Sequence, residues 1–251
     1  MTLASPHPLR SLVLLCALGS AAGAAQSTKL SQPLNDTGAK LCLVSNQFTK
    51  ECAGTGQDGE FGRDVTKKND KDGKSGFGFE KICNSGELAG SGACPAEPIL
   101  GPGANEWACN RDKVTKLIWE VKTKGGGLRD WLKIYTNWGD GRSGDTSEFV
   151  AQVNAQGLCG ANDWRLPKVQ ELHGLVSYGV PSPGPSIAKG MFPNTPGGKT
   201  VPSFGLYWTA DGYAGYTLFD WVVDFNDGSV FAAGGDDFFG GYAARLVRTG
   251  Q

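Results

Sequence analysis

Residues able to perform acid–base or nucleophilic chemistry are few in this sequence. Its two histidines are His7 and His173. His7 falls in a predicted leader peptide, so a Ser-His-Asp or Cys-His mechanism would depend on His173. That residue adjoins apolar positions of a predicted helix, which favours a structural or surface role. Asp and Glu are plentiful, but no spacing singles out a carboxylate pair. We therefore predict that the protein is not an enzyme.

The cysteines predict disulfides rather than a catalytic thiol or a metal site. Cys16 lies in the predicted leader, and the other six form an even set, which indicates disulfides in an exported protein. Proximity along the chain favours Cys42–Cys52 and Cys83–Cys94, which leaves Cys109–Cys159 as a long-range link. The sequence has no CxxC pair, so a zinc site is disfavoured. We expect no metal and no cofactor.

Residues 1–25 have the pattern of a secretory signal peptide. Arg10 supplies a positive charge, "SLVLLCALG" an apolar segment, and "SAAGAA" small residues suited to cleavage. The apolar run is too short to span a bilayer, and Leu15 before Cys16 argues against a lipoprotein. No later segment is long and apolar enough for a membrane span. We expect an exported protein that is periplasmic, cell-surface or extracellular.

Composition narrows the remaining classes of function. The chain has 251 residues, of which 39% are hydrophobic and 20% charged, so a packed core is expected. The net charge of -1 gives no reason to expect nucleic-acid binding or electrostatic attachment to a membrane. Residues 26–105 are rich in turns and predict a disulfide-stapled extension with little core of its own. Within it, "NDKDG" departs from a calcium loop at Lys68 and Phe79 and is predicted to be a solvated turn.

Residues 106–251 show more regular patterns. The segment "VTKLIWEVKT" predicts a strand. "TSEFVAQVNAQGL" predicts a helix capped by Thr146 or Ser147, and "LPKVQELHGLVSYG" predicts a second helix from Pro167 to the residue before Gly179. Four short segments then predict an antiparallel sheet, namely "LYWTA", "DWVVDF", "GSVFAA" and "YAARLVR". Together these elements indicate an α+β domain.

Alternation along the predicted strands indicates which side chains are buried. Trp221, Phe225, Leu246 and Val230 are assigned to the core on this pattern. Asp163 and Arg165, in "NDWRLP", are predicted to form a buried polar pair with an architectural role.

The segments "CGANDWRLPKVQELHGLVSYG", "YWTAD", "WVVDFNDGSV" and "ARLVR" occur in an order that resembles the Lcl C-terminal domain, named for the end of a collagen-like bacterial adhesin. This resemblance covers residues from about Trp107 to Arg248. It implies a C-type-lectin-like fold, related to formylglycine-generating enzymes and to receptor-binding proteins diversified by retroelements. The cysteine pair of those enzymes is missing after Cys159. The sugar-binding motifs of calcium-dependent lectins are also missing.

The retroelement relationship implies a test on composition. Diversified positions arise from mutated adenine codons, which cannot encode Lys, Glu, Gln, Met or Trp. Lys, Glu, Gln and Met together account for 35 residues of the chain, so about five would be expected in the 35 residues of 210–244, and none occurs. Trp221 would be a fixed frame residue. We interpret this window as a diversified binding surface, against the alternative that glycine-rich strands avoid long side chains.

The window also has the residue types of a recognition surface. Aromatic rings give contact area with few rotamers to immobilise, and aspartates supply acceptors and negative charge. The candidate ligand-binding residues are Asp211, Tyr213, Tyr216, Phe219, Phe231, Asp236, Asp237, Phe238, Phe239 and Tyr242. The expected partner is a macromolecule on another cell or a phage, either a protein receptor or a glycan, and the protein is expected to be a monomer. A conventional adhesin-like glycan binder is the alternative, and an oxidase of the formylglycine type is the third hypothesis.

Overall fold

The computed structural model describes residue 1 and residues 34–63, 76–182, 184–197, 205–236 and 240–250. The predicted signal peptide and the "NDKDG" turn lie outside these residues. The chain divides by its internal contacts into Met1–Ser31 and Gln32–Gln251. The architecture below is that of the second unit.

The described residues form nine strands in three antiparallel sheets. A two-stranded hairpin pairs β1 (Cys42–Val44) with β2 (Gln47–Thr49). A four-stranded sheet has the order β3 (Phe79–Cys83), β4 (Trp107–Asp112), β5 (Leu117–Glu120) and β9 (Val247–Thr249). A three-stranded meander has the order β6 (Leu206–Gly212), β7 (Phe219–Asp224) and β8 (Val230–Gly234). Together with the helices, these sheets confirm the mixed α+β class.

Helix α1 (Asp58–Phe61) is a single turn near the start of the domain. The longest described helix is α2 (Thr146–Gln156). Its N-cap is Asp145, whose side chain accepts a hydrogen bond from the Ser147 amide, so the predicted caps were each too late. Gly157 ends the helix in the left-handed conformation. A 3-10 turn, Leu158–Gly160, follows directly.

Helix α3 (Val169–His173) is much shorter than the sequence predicted. It begins two residues after Pro167 and ends at His173. Beyond it, the amide of Ser177 donates to the carbonyl of Ser186 and the amide of Tyr178 donates to Thr37. These bonds to distant segments replace the helical ones, so the chain leaves the helix while Leu175 and Val176 remain buried in the core.

The segment before residue 106, predicted to be an extension with little core of its own, contributes strand β3 and two phenylalanines to the main core. Strand β3 pairs with β4 along its whole length. Phe77 and Phe79 belong to the same buried cluster as Trp119 and Phe192. The ring of Phe79 meets Phe192 edge-on at 5.2 Å between centroids. Of the described strands before residue 106, only β1 and β2 form a sheet without strands from later in the chain.

All three predicted disulfides are present, namely Cys42–Cys52, Cys83–Cys94 and Cys109–Cys159. The first staples the β1–β2 hairpin and the second closes the turn that follows β3. The third joins β4 to the 3-10 turn after α2, across 50 residues of sequence.

The last predicted strand does not continue the meander. The strand that the structure has in this part of the chain, β9, is shorter than the predicted one and pairs with β5 in the four-stranded sheet. The preceding residues cross between the two sheets, because Tyr242 bridges to Tyr135 and Ala243 bridges to Tyr207. This crossing carries Tyr242, Leu246 and Val247 into the interior, so the glycine-rich segment is anchored at its end.

The meander is covered on both faces near its middle. Val222 packs with Trp208, Ala233 and Tyr242, while Val223, its neighbour on the other face, joins the larger cluster that contains Phe225. The prediction that Phe225 and Leu246 are buried is confirmed. The core assignments of Trp221 and Val230 were wrong, since both side chains are partly exposed.

The predicted polar pair Asp163–Arg165 does not form. Arg165 forms an ion pair with Glu171 at 2.8 Å, and Asp163 forms one with Arg248 at 2.5 Å. Asp163 and Arg165 are separated by one residue in an extended segment, so their side chains point the same way. They nevertheless reach different partners. Both ion pairs link this segment to later parts of the chain. Asp163 and Arg165 therefore support the architecture through Arg248 and Glu171 and not through each other.

Gly241 lies where the chain crosses between the sheets, and it supports a first prediction. Its φ is +115°, and a Cβ there would stand 2.0 Å from the Tyr135 carbonyl oxygen. We expect Gly241→Ala to lower the free energy of unfolding by about 2 kcal/mol, because it adds a clash to a strained backbone conformation. Urea denaturation monitored by tryptophan fluorescence measures the loss.

The neighbouring glycine is the matched control. Gly240 also has a positive φ, of +77°, but a Cβ added to it would have no atom of the described residues within 4 Å. Gly240→Ala should therefore cost about 1 kcal/mol, from backbone strain alone. Equal losses in the two variants would show that the contact with Tyr135 is unimportant.

Candidate functional site

The candidate site begins in the loop that joins β6 to β7, residues 213–218. Short hydrogen bonds shape this loop: the Tyr213 amide donates to the Phe219 carbonyl at 2.8 Å, and the Tyr216 amide donates to Tyr213 at 3.2 Å. The loop therefore projects as a compact turn from the end of the hairpin. Its side chains are among the most exposed apolar ones of the domain, with Tyr216 at 56% and Leu218 at 52% exposure.

Two aromatic pairs connect the loop to β7. Tyr213 meets Trp221 edge-on, with ring centroids 5.3 Å apart, and Tyr216 meets Phe219 in the same manner at 5.2 Å. Phe219 and Trp221 are alternate residues of one strand, so they share a face of the sheet. We call these four residues, Tyr213, Tyr216, Phe219 and Trp221, the aromatic patch.

Helix α3 limits the aromatic patch on one side. It packs against β6 and β7, and the backbone amide of Val169 donates to the Asp211 carboxylate at 2.6 Å. Asp211 thus accepts from the first turn of the helix, where a carboxylate is favourable. Asp211, a predicted ligand-binding residue, therefore already has a hydrogen-bond partner within the protein.

Phe231 lies on the opposite face of the meander. It pairs directly with Val222, whose side chain packs with Trp208 and Ala233. Residues directly opposite each other on paired strands share a face, so Phe231 is separated from Trp221 by the sheet itself. Its exposure of 36% is close to the 37% of Tyr213.

A second loop, residues 136–145, joins the edge of the meander at β8. The Asn137 amide donates to the Gly235 carbonyl at 2.9 Å, and its side chain donates to Asp220 at 2.8 Å. The indole ring of Trp138 would lie 3.2 Å from a Cβ added to Gly235. Sequence reasoning missed Trp138, although a tryptophan in a glycine-rich loop was a usable signal.

Partial burial perturbs two carboxylates of the meander. Desolvation raises the pKa of Asp220 above its ordinary value, although the hydrogen bond from Asn137 opposes the shift. Desolvation likewise raises the pKa of Asp224, against the effect of the Asn226 amide. Both carboxylates already accept hydrogen bonds, so they shape the sheet and its loops.

The structure distributes the ten predicted site residues over several environments. It brings Tyr213, Tyr216 and Phe219 together, places Phe231 on the other face, and leaves Asp236 exposed. Tyr242, also a predicted ligand-binding residue, has a side chain that is 2% exposed and a ring 4.9 Å from that of Trp208. It is buried because the chain turns inward to cross between the sheets. Asp237, Phe238 and Phe239 lie outside the described residues.

Two further residues of the patch region were not among the predicted contacts. Trp221 was assigned to the core because it alternates with Val223, yet Val223 lies in the buried cluster with Leu172 of α3 while the Trp221 side chain stays partly exposed. Leu218 was overlooked because an isolated exposed leucine carries no sequence signal.

The described parts of the chain contain no candidate metal site and no candidate membrane span. No group of three or more His, Cys, Asp or Glu side chains there could hold a metal ion. No helix in those segments is both long and apolar enough to cross a membrane.

The part of the sequence that contains the patch matches the model of a known family. The family model described as the Lcl C-terminal domain matches residues 108–248, more than half of the chain. The chain belongs to the Lcl C-terminal domain family. No curated protein and no solved structure matches the chain. Membership of this family, together with the three disulfides, indicates an adhesin-like protein that is exported.

Proposed function

We propose that this Lcl C-terminal domain binds a macromolecular ligand through the aromatic patch. The observation that carries the proposal is the packing of Tyr213 and Tyr216 against Trp221 and Phe219, which leaves both tyrosines accessible in a loop held against β7. Such rings give a large contact area at a low cost in side-chain entropy, as in antibody loops. Recognition rather than catalysis is the function that this arrangement supports.

The charges around the patch favour a basic protein surface as the ligand. Lysine is absent from residues 200–251, while aspartate recurs there. Asp236 is exposed and follows Gly235, whose amide donates to the Leu218 carbonyl in the loop of the patch. A positively charged partner would gain from this excess of acceptors, both in its rate of association and in specificity. A protein receptor on another cell or phage is therefore the proposed partner, and a glycan is the alternative that the test must separate.

We also propose that the exposed positions of 210–244 are diversified by a retroelement on a fixed frame. The missing Lys, Glu, Gln and Met support this. So does the burial of Val222, Val223 and Tyr242, which would form the frame of a C-type-lectin-like fold. A neighbouring reverse transcriptase gene and an invariant template copy in the genome are expected. Copies that differ at these buried positions as often as in the exposed loop would contradict the proposal.

The binding test compares two tyrosines with Phe231, whose exposure is close to that of Tyr213. The purified protein is screened against an array of extracellular proteins and a glycan array, and the protein that binds most tightly is titrated. Tyr213→Ala combined with Tyr216→Ala should weaken this binding at least about tenfold, because central aromatic side chains dominate interface energies. Melting temperatures should stay close to that of the parent protein.

Phe231→Ala is the control, since Phe231 has nearly the same exposure as Tyr213 but lies on the other face of the meander. Its affinity should stay within about threefold of the parent value. An equal loss in the control, or tight binding only to glycans in a calcium-dependent manner, would contradict the proposed site and partner.

A further inference from the structure

A cleft of about 320 Å³ lies beside β4 and β5, and no residue of the three-stranded meander lines it. The glycine-rich loop 123–129 forms one wall, and the 3-10 turn after α2 contributes to the other. Its lining residues are Asn84, Pro102, Thr123, Lys124, Gly125, Gly127, Leu128, Arg129, Gln156 and Leu158. This volume is at the lower end of the range for small-molecule pockets, so it suits a small molecule rather than a polymer.

The guanidinium group of Arg129 is held in a fixed position at this cleft. Arg129 is 8% exposed. Its Nη1 donates to the carbonyls of Ala108 at 3.1 Å and Val121 at 2.6 Å. Among the described residues, Nε and Nη2 donate to no acceptor and the side chain forms no ion pair. The edge that carries these two nitrogens is therefore free while the rest of the group is fixed.

That free edge has the geometry of a carboxylate site. Two parallel N–H bonds from one edge of a guanidinium match the two oxygens of a carboxylate. Burial makes the interaction stronger than it would be in water. Because Nη1 is already anchored, little side-chain entropy remains to be lost when the ligand binds.

The charges at the cleft also favour an anion. Lys124 is exposed and lies over the Trp131 ring at 5.0 Å. No carboxylate is among the lining residues. The nearby Asp130 carboxylate accepts from the amides of Gly126 and Leu132, and the buried Glu120 carboxylate acts on Arg129 only at longer range. The cleft therefore presents two cations and polar backbone.

We propose that this cleft binds a small hydroxycarboxylate, with Arg129 holding the carboxylate. Thr123 and Gln156 line the cleft and supply a hydroxyl and an amide for hydroxyl groups of the ligand. Asn84 is already engaged, since it donates to Pro102 and accepts from the Cys159 amide. The site is independent of the aromatic patch.

Isothermal titration with gluconate, sorbitol and inorganic phosphate tests the proposal. Gluconate and sorbitol carry the same chain of hydroxyl groups, but only gluconate has a carboxylate. Saturable binding of gluconate at millimolar concentration, and none of sorbitol at equal concentration, is expected. Equal binding of sorbitol, or tighter binding of inorganic phosphate than of gluconate, would overturn the carboxylate assignment.

A matched pair of variants at Gly127 locates the site without disturbing Arg129. Gly127 has no positive φ, and a Cβ added to it would have no atom of the described part of the chain within 4 Å, so a side chain fits there. Gly127→Glu should weaken gluconate binding about tenfold by placing a negative charge beside the cleft. Gly127→Gln, of the same size and neutral, should stay within about threefold.

Equal loss in the Glu and Gln variants, or no loss in either, would contradict the assignment. Arg129→Lys should also weaken binding about tenfold, because it loses the planar fork. If that variant melts earlier because the Ala108 and Val121 carbonyls lose a donor, the Gly127 pair alone decides. Neither Gly127 variant should alter binding at the aromatic patch, so the two proposals can fail separately.

Discussion

Replacing Cys109 and Cys159 together by alanine is expected to lower the free energy of unfolding by about 4 kcal/mol. This disulfide closes a loop with a sequence separation of 50 residues. Without it, the unfolded chain gains the conformational freedom of that whole loop. Both cysteines are buried, and the double substitution avoids leaving a free thiol in the core. Urea denaturation under non-reducing conditions measures the change.

The Cys42–Cys52 disulfide supplies the comparison, because it closes a loop with a separation of only 10 residues. Its double alanine variant should lose about 3 kcal/mol if the loss follows loop length alone. Its hairpin forms a separate two-stranded sheet, so the three-stranded meander should remain folded. A larger loss in this variant than in the Cys109–Cys159 variant would contradict the dependence on loop length.

The second large effect concerns an ion pair inside the four-stranded sheet region. The Nζ atom of Lys122 lies 2.9 Å from Oε1 of Glu120, and both side chains are nearly inaccessible. Replacing Lys122 by methionine should destabilise the protein by about 3–5 kcal/mol, because Glu120 would keep a buried charge without its partner. Thermal and urea denaturation both measure this.

Glu120 also fixes the segment before β9. Its Oε2 accepts from the Leu246 amide at 3.0 Å, and its own carbonyl accepts from Arg245 at 2.8 Å. Combining Glu120→Gln with Lys122→Met keeps an acceptor for Leu246 and removes both charges. We expect the double variant to recover much of the loss, whereas additive losses would show that the two side chains do not interact.

Burial also gives this pair a pH dependence. It lowers the pKa of Lys122 to about 8, against the opposing effect of Glu120. Between about pH 8 and the ordinary lysine pKa of about 10.4, the unfolded chain binds the proton more tightly than the folded one. The contribution of Lys122 to stability should therefore rise with pH across that interval. Lys122→Met should lack this rise.

Buried tyrosines reverse this rise in stability at higher pH. Burial raises the pKa of Tyr135 and Tyr207 above the ordinary value. Above about pH 10 the unfolded chain then loses tyrosine protons that the folded protein keeps, so stability falls again. A series of urea denaturation curves from about pH 7 to about pH 10.5 checks both directions.

The sequence alone determined the features that depend on local spacing and on long, specific motifs. Two disulfide pairs follow from the short separation of their cysteines along the chain. The third pair joins the two cysteines that remain. The α+β class follows from one strong helical segment and several short alternating segments. The family follows from "DWRLP" and the spaced tryptophans of the later strands, because those motifs are too long to recur by chance.

Long-range packing decided the rest. Alternation predicts that Trp221 and Val223 share a face, but not that Val223 is buried in the cluster that contains Leu172 of α3 while Trp221 stays partly exposed. Likewise, Tyr242 has the local pattern of an exposed aromatic, and only the crossing between sheets places it against Trp208. The same holds for Arg129, whose free edge exists because two backbone carbonyls from β4 and the end of β5 hold its other nitrogen. Such positions depend on which distant segment packs against each side chain, and a local pattern carries no information about that.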